Sequence, residues 1–131
     1  MSRTALLVLA AALVLGCAKK VREQSVAPTT AVAAGARERF EQGVAHMEAG
    51  ASRYDAAVQS FRAAIGIDPK LWEAWLDIGV IELRRARLAE AAKALQKSLE
   101  IYASPEALDA LGEVYLRQGK AERAIELYER A

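Results

Sequence analysis

The sequence holds one cysteine, Cys17, and one histidine, His46. A lone cysteine excludes an intramolecular disulfide, and a lone histidine leaves no Cys/His cluster for a structural zinc site. Charge of either sign is not in excess: 18 Lys and Arg face 17 Asp and Glu. No basic field speaks for nucleic acid, and no acidic tail speaks for a cationic partner. Aromatic residues make up only 6% against 53% hydrophobic, and alanine supplies much of the difference. Small side chains of high helix propensity are a helix-packing composition. Beyond Gly35 there is no Ser/His/Asp set, no Cys/His pair and no glycine-rich phosphate loop, so neither enzymatic activity nor a cofactor is expected.

The longest apolar run, residues 4–16, is also short. A bilayer-spanning helix needs about 20 such residues, whereas a secretory signal needs fewer. Arg3 precedes the run, and Cys17 with Lys19 and Lys20 follows it. The stretch Val14-Leu15-Gly16-Cys17 resembles the lipobox of bacterial lipoproteins, with Leu15 departing from the small residue more usual there. The resemblance implies removal of residues 1–16 and lipidation of Cys17. Ala18, rather than an aspartate, directly after the cysteine implies the outer membrane, facing the periplasm. An ordinary signal peptide with an incidental cysteine, or an uncleaved short anchor, are the alternatives. Residues 18–35 carry Pro28 and a threonine pair without clean periodicity, and are expected to form a flexible tether.

After Gly35 the apolar positions recur every three or four residues, which predicts six helices at about 36–49, 54–67, 70–85, 88–101, 105–118 and 121–131. Asp68 and Ser104 are expected as N-caps, each with a proline at the first helical position. Short breaks between segments make consecutive helices antiparallel neighbours. Three rows repeat along the chain: Gly43, Gly79, Gly112; Ala57, Ala91, Ala124; and Phe61, Leu95, Tyr128. The glycine row is spaced 36 and 33 residues, the other two 34 and 33. The two extra residues fall in the turn after Gly50, where they leave the helix faces in register. The glycines are expected to face the alanines of the second helix.

A period in this range means stacked helix pairs. The rows, with Trp75-x2-Ile78-Gly79 and the stretch from Tyr54 to Pro69, resemble the tetratricopeptide repeat. The resemblance implies an all-α, short right-handed solenoid of about three units, at 36–69, 70–104 and 105–131. His46 and Glu82 stand where the family places an aromatic, as Tyr115 does; His46 is expected to pack, and Glu82 to reach solvent or a neighbouring arginine.

The resemblance also implies a concave groove formed by the first helices. Its positions here are Phe40, Val44 and Met47 in the first unit, Leu76, Val80, Leu83 and Arg84 in the second, and Asp109, Glu113, Leu116 and Arg117 in the third. The residues themselves agree in part: Leu76, Val80 and Leu83 form an i, i+4, i+7 stripe on a different face from Trp75 and Ile78. The stripe either opens to a groove or packs against adjacent helices. A groove apolar at one end and acidic at the other suits a peptide or an amphipathic helix. The expected function is a membrane-anchored adaptor in the bacterial envelope that binds another envelope protein, in a pilotin-like or assembly-accessory role. A regulator of a cell-wall enzyme is one alternative. The other is a self-associating lipoprotein, a homodimer through an apolar edge at Ala121, Ile125 and Tyr128, with Ala124 as a further candidate.

Overall fold

The computed structural model describes residues 31–131. The expected signal peptide, Cys17 and the expected tether before residue 31 lie outside the described residues. Six α-helices follow one another among the described residues: α1 Ala31–Glu48, α2 Tyr54–Ile67, α3 Trp72–Arg84, α4 Leu88–Ile101, α5 Pro105–Arg117 and α6 Ala121–Arg130. They pack as the antiparallel pairs α1/α2, α3/α4 and α5/α6. The two extra residues after Gly50 form part of a single 3-10 turn, Ala51–Arg53, as an insertion confined to a turn should.

Helix α1 begins five residues before the expected start, so residues 31–35 are helical rather than tether. Alanine dominates this stretch, and a run of alanines has high helix propensity but no amphipathic pattern to read. Ala36 is fully covered, and Gly35 lies against the Ile67 side chain.

Ser104 caps α5, its Oγ accepting the Ala107 N–H at 3.1 Å with Pro105 in the first turn. Asp68 does not cap α3. Its own N–H closes α2 on the Ala64 carbonyl, and its Oδ1 accepts the Lys70 N–H at 3.0 Å. Helix α3 starts only at Trp72 because Leu71 leaves the helical conformation (φ −75°, ψ 82°) and is buried at 8% exposure.

The glycine row also corrects an expectation. A Cβ on Gly43 would lie 2.6 Å from the Phe61 ring, on Gly79 2.5 Å from Leu95 Cγ, and on Gly112 2.7 Å from the Tyr128 ring. Each glycine therefore receives the large residue one turn beyond the alanine, and not the alanine itself. The alanines are fully buried on their own account. A glycine on the first helix is the hole into which the large side chain of the second is set.

Two cores form where units meet. One gathers Phe61, Leu71, Ala74, Ile78 and Ile81; the other Leu83, Leu95, Leu108, Leu111 and Val114. Helices α1, α3 and α5 touch in succession, while α2, α4 and α6 do not touch one another. The first helices are thus the inner layer of a curved stack, and the second helices splay outside it. None of the described helices is long and apolar enough to cross a membrane.

Candidate binding groove

The inner layer carries two depressions that share Arg84. One, about 470 Å³, lies between α1 and α3 and is lined by Val44, Met47, Tyr54, Asp77 and Arg84. The other, about 590 Å³, lies between α3 and α5 and is lined by Val80, Leu83, Arg84, Asp109, Glu113, Arg117 and Tyr128. Eight of the eleven groove positions expected from sequence line one or both depressions.

Three do not. The Phe40 ring packs 5.5 Å from that of Phe61, against the first core. Leu76 packs against the second core. Leu116 is exposed at 48% but lines neither depression. Leu83 lines the second depression as floor only: at 6% exposure it belongs to the second core. The stripe on α3 therefore divides, Val80 toward the groove, Leu76 and Leu83 toward the neighbouring helices.

Polar contacts hold the charged groove residues in place. Arg84 Nη1 donates to the Tyr54 hydroxyl at 3.3 Å. Arg117 pairs with Glu113 one turn earlier on α5, and its other nitrogen reaches the Leu83 carbonyl at 3.5 Å. Asp77 was not expected. Burial raises its pKa from 3.8 to about 6, with nearby Arg84 pulling it down and Glu73 adding to the rise. Asp77, Val80 and Arg84 stand at i, i+3 and i+7, so the helical period placed Asp77 on this face all along. Tyr54 and Tyr128 come from second helices, which a groove drawn from first helices alone leaves out.

The remaining polar residues singled out in the sequence lie elsewhere. His46 Nδ1 accepts from Arg53 at 3.3 Å and, among the described residues, forms no ion pair with a carboxylate. Glu82 is buried at 7% exposure, with Arg85 and Arg87 each 3.5 Å from its carboxylate. It pairs with arginines and does not reach solvent. Among the described residues no group of three or more His, Cys, Asp or Glu is placed to hold a metal ion.

The family profile of the tetratricopeptide repeat matches residues 40–106, and a second profile of the same repeat matches residues 105–131. The chain belongs to the tetratricopeptide repeat family. Repeats of this family form protein–protein interaction scaffolds and are typically non-enzymatic. The crystal structure of MamA superposes with a TM-score of 0.68 at 19% identity, over 72% of this chain and 55% of that one, which shows the shared repeat fold. The peroxisomal targeting signal receptors of Komagataella phaffii (strain GS115 / ATCC 20864) and Komagataella pastoris are each 34% identical over 64 residues. That match covers 49% of this chain, which spans only 11% of the length of these relatives. The tetratricopeptide repeats here thus form one curved layer with a lined inner face.

Proposed function

We propose that the protein is a membrane-anchored adaptor of the bacterial envelope that binds a short peptide or helix of another envelope protein in its inner groove. The observation that carries the binding role is the pair of depressions joined at Arg84, with residues from α1, α3 and α5 on one face. Apolar Val44, Met47 and Val80 offer anchor contacts, and Arg84, Asp109, Glu113 and Arg117 offer orienting charges. The matched relatives are by name receptors of a targeting signal, which favours a short segment as the ligand class. The anchor rests on Cys17 at the end of the apolar run, and Ala18 after it favours the outer membrane. A pilotin-like or assembly-accessory role, or regulation of a cell-wall enzyme, would use the same groove.

Two measurements test this. Metabolic labelling with a palmitate analogue should mark the full chain and be lost in Cys17→Ser; label that persists removes the anchor. Crosslinking pull-down from membranes should capture an envelope protein whose recovery fails in Val44→Glu/Val80→Glu with helicity unchanged. Recovery that survives this pair removes the groove. Leu83 is unsuitable for that test because it is core.

A second reading, self-association through α6, is favoured by one observation: Ile125 and Tyr128 remain 55% and 41% exposed. Sedimentation decides it, since a monomer at all concentrations excludes a homodimer.

A further inference from the structure

On the opposite face of α3 from the groove lies a cavity of about 500 Å³, between the splayed helices α2 and α4. Its apolar wall is Trp75, Ile78 and Ala94, and its rim carries Arg62, Lys93 and Arg87. Acids at the cavity are Glu90 and the buried Glu82. The volume falls within the range of small-ligand and side-chain pockets, roughly 300–1,000 Å³.

The repeat itself shows what such a space takes. Counting one unit on, Glu82 corresponds to Tyr115, Arg62 to Gln96, Arg87 to Lys120 and Ala94 to Leu127. In that third unit the Tyr115 ring packs against the second core, and Gln96 Nε2 donates to its hydroxyl at 3.1 Å. Lys120 and Arg123 lie 5.7 and 6.0 Å from the ring centre. The molecule thus contains one filled example: an aromatic ring seated between outer helices, bonded at its oxygen and flanked by cations. In the second unit the ring is replaced by the Glu82 carboxylate, held by Arg85 and Arg87. Ala94 further enlarges the space that Leu127 narrows in the third.

We infer that the α2/α4 cavity is a second binding site, which takes an aromatic side chain carried by an acidic peptide segment. The ring would lie against Trp75 and Ile78, as Tyr115 packs against the core that holds the equivalent Leu108 and Leu111. The acidic flank is selected by Arg62 and Lys93, which make no ion pair among the described residues. Glu82 is already neutralised by two arginines, and the one remaining acid at the cavity, Glu90, is outnumbered by Arg62 and Lys93. The site stands apart from the groove and does not depend on the groove's function.

The test titrates the full chain with the N-acetylated, C-amidated tetrapeptide Glu-Tyr-Asp-Glu, followed by NMR at the Trp75 indole N–H and the Ala94 methyl. Saturable shifts are expected at both. The Kd should rise about ten-fold or more when the peptide's tyrosine is alanine, and likewise in Arg62→Glu/Lys93→Glu. Glu82→Tyr should fill the cavity and abolish the shifts, and Val44→Glu/Val80→Glu should leave them intact. No shift at millimolar peptide, or shifts at Val44 and Val80 instead, overturns the assignment. So does an unchanged Kd in the rim variant, which remains decisive should Glu82→Tyr fail to fold, because both rim residues are solvent-exposed.

Discussion

Replacing each glycine of the row by alanine adds the same methyl at three sites that differ only in what the methyl meets. At Gly43 it would lie 2.6 Å from the ring of Phe61, which has no exposure and no room to turn. At Gly79 it would lie 2.5 Å from Leu95 Cγ and 3.3 Å from the Leu95 backbone nitrogen, so a rotamer change alone does not relieve it. At Gly112 the obstacle is the ring of Tyr128, which is 41% exposed and free to swing outward. Overpacking costs about 1–3 kcal/mol, while alanine gains about 1 kcal/mol over glycine inside a helix. Gly43→Ala and Gly79→Ala should therefore lose up to about 2 kcal/mol, and Gly112→Ala should be close to neutral or slightly stabilising. For a domain of this size each kcal/mol lowers Tm by about 4–8 °C. Denaturation followed by helical circular dichroism reads the series. A cycle with Leu95→Ala sharpens it: that change alone costs about 2–5 kcal/mol, and should cost at least about 1 kcal/mol less once Gly79→Ala has supplied a methyl to the space. Equal effects at the three glycines, or stabilisation at all three, would refute the packing argument and leave propensity as the cause.

Other sites give independent checks. Ala86 holds φ at 59°, at the position occupied by Gly50 and Gly119 in the other units, so Ala86→Gly should raise stability by about 0.5–1 kcal/mol in the same melts. Ser104→Ala removes the α5 cap and should cost about 1 kcal/mol, whereas Asp68→Ala, which leaves no helix N-terminus uncapped, should cost less. Asp77 has its folded pKa raised from 3.8 to about 6, so the folded state holds its proton more tightly and stability falls as pH rises through that window. Asp77→Asn should flatten the loss between these pH values and stabilise at neutral pH; an unchanged stability profile would remove burial as the cause.

Much of the architecture was legible because three copies of one unit state it three times. The glycine, alanine and large-residue rows placed the helix pairs, and the turn insertion after Gly50 was readable as an offset common to the first unit. What the rows left out was anything set by a residue's neighbour rather than by its place in the unit. The start of α1 carries no pattern because alanine buries without alternating. Asp68-Pro69 has the composition of a helix start, yet Leu71 is drawn into the core and delays α3. Glu82 and Tyr115 occupy one repeat position, and only the structure shows that Glu82 lines a cavity while Tyr115 packs against a core. Of the expected groove positions on α3, Val80 and Arg84 line a depression, whereas Leu76 is taken up by the second core.

Met47, Leu83 and Leu116 make the same point sharply, since they are one repeat position in three units. Met47 is partly buried against the first core, Leu83 is 6% exposed beneath α5, and Leu116 is 48% exposed. The exposure of this position is decided by whether another first helix lies beside it. Glutamate at the three sites should therefore act very differently despite the identical place in the unit. Leu83→Glu buries an unpaired carboxylate between α3 and α5, costs several kcal/mol, and should leave little folded domain. Leu116→Glu should stay within about 0.5 kcal/mol of the parent, as surface changes do. Met47→Glu should fall between, because it also faces the α1/α3 depression. Thermal melts of the three variants settle it: a Leu83→Glu as stable as Leu116→Glu would mean that α5 does not cover Leu83, and the stacking of the second and third units would have to be redrawn.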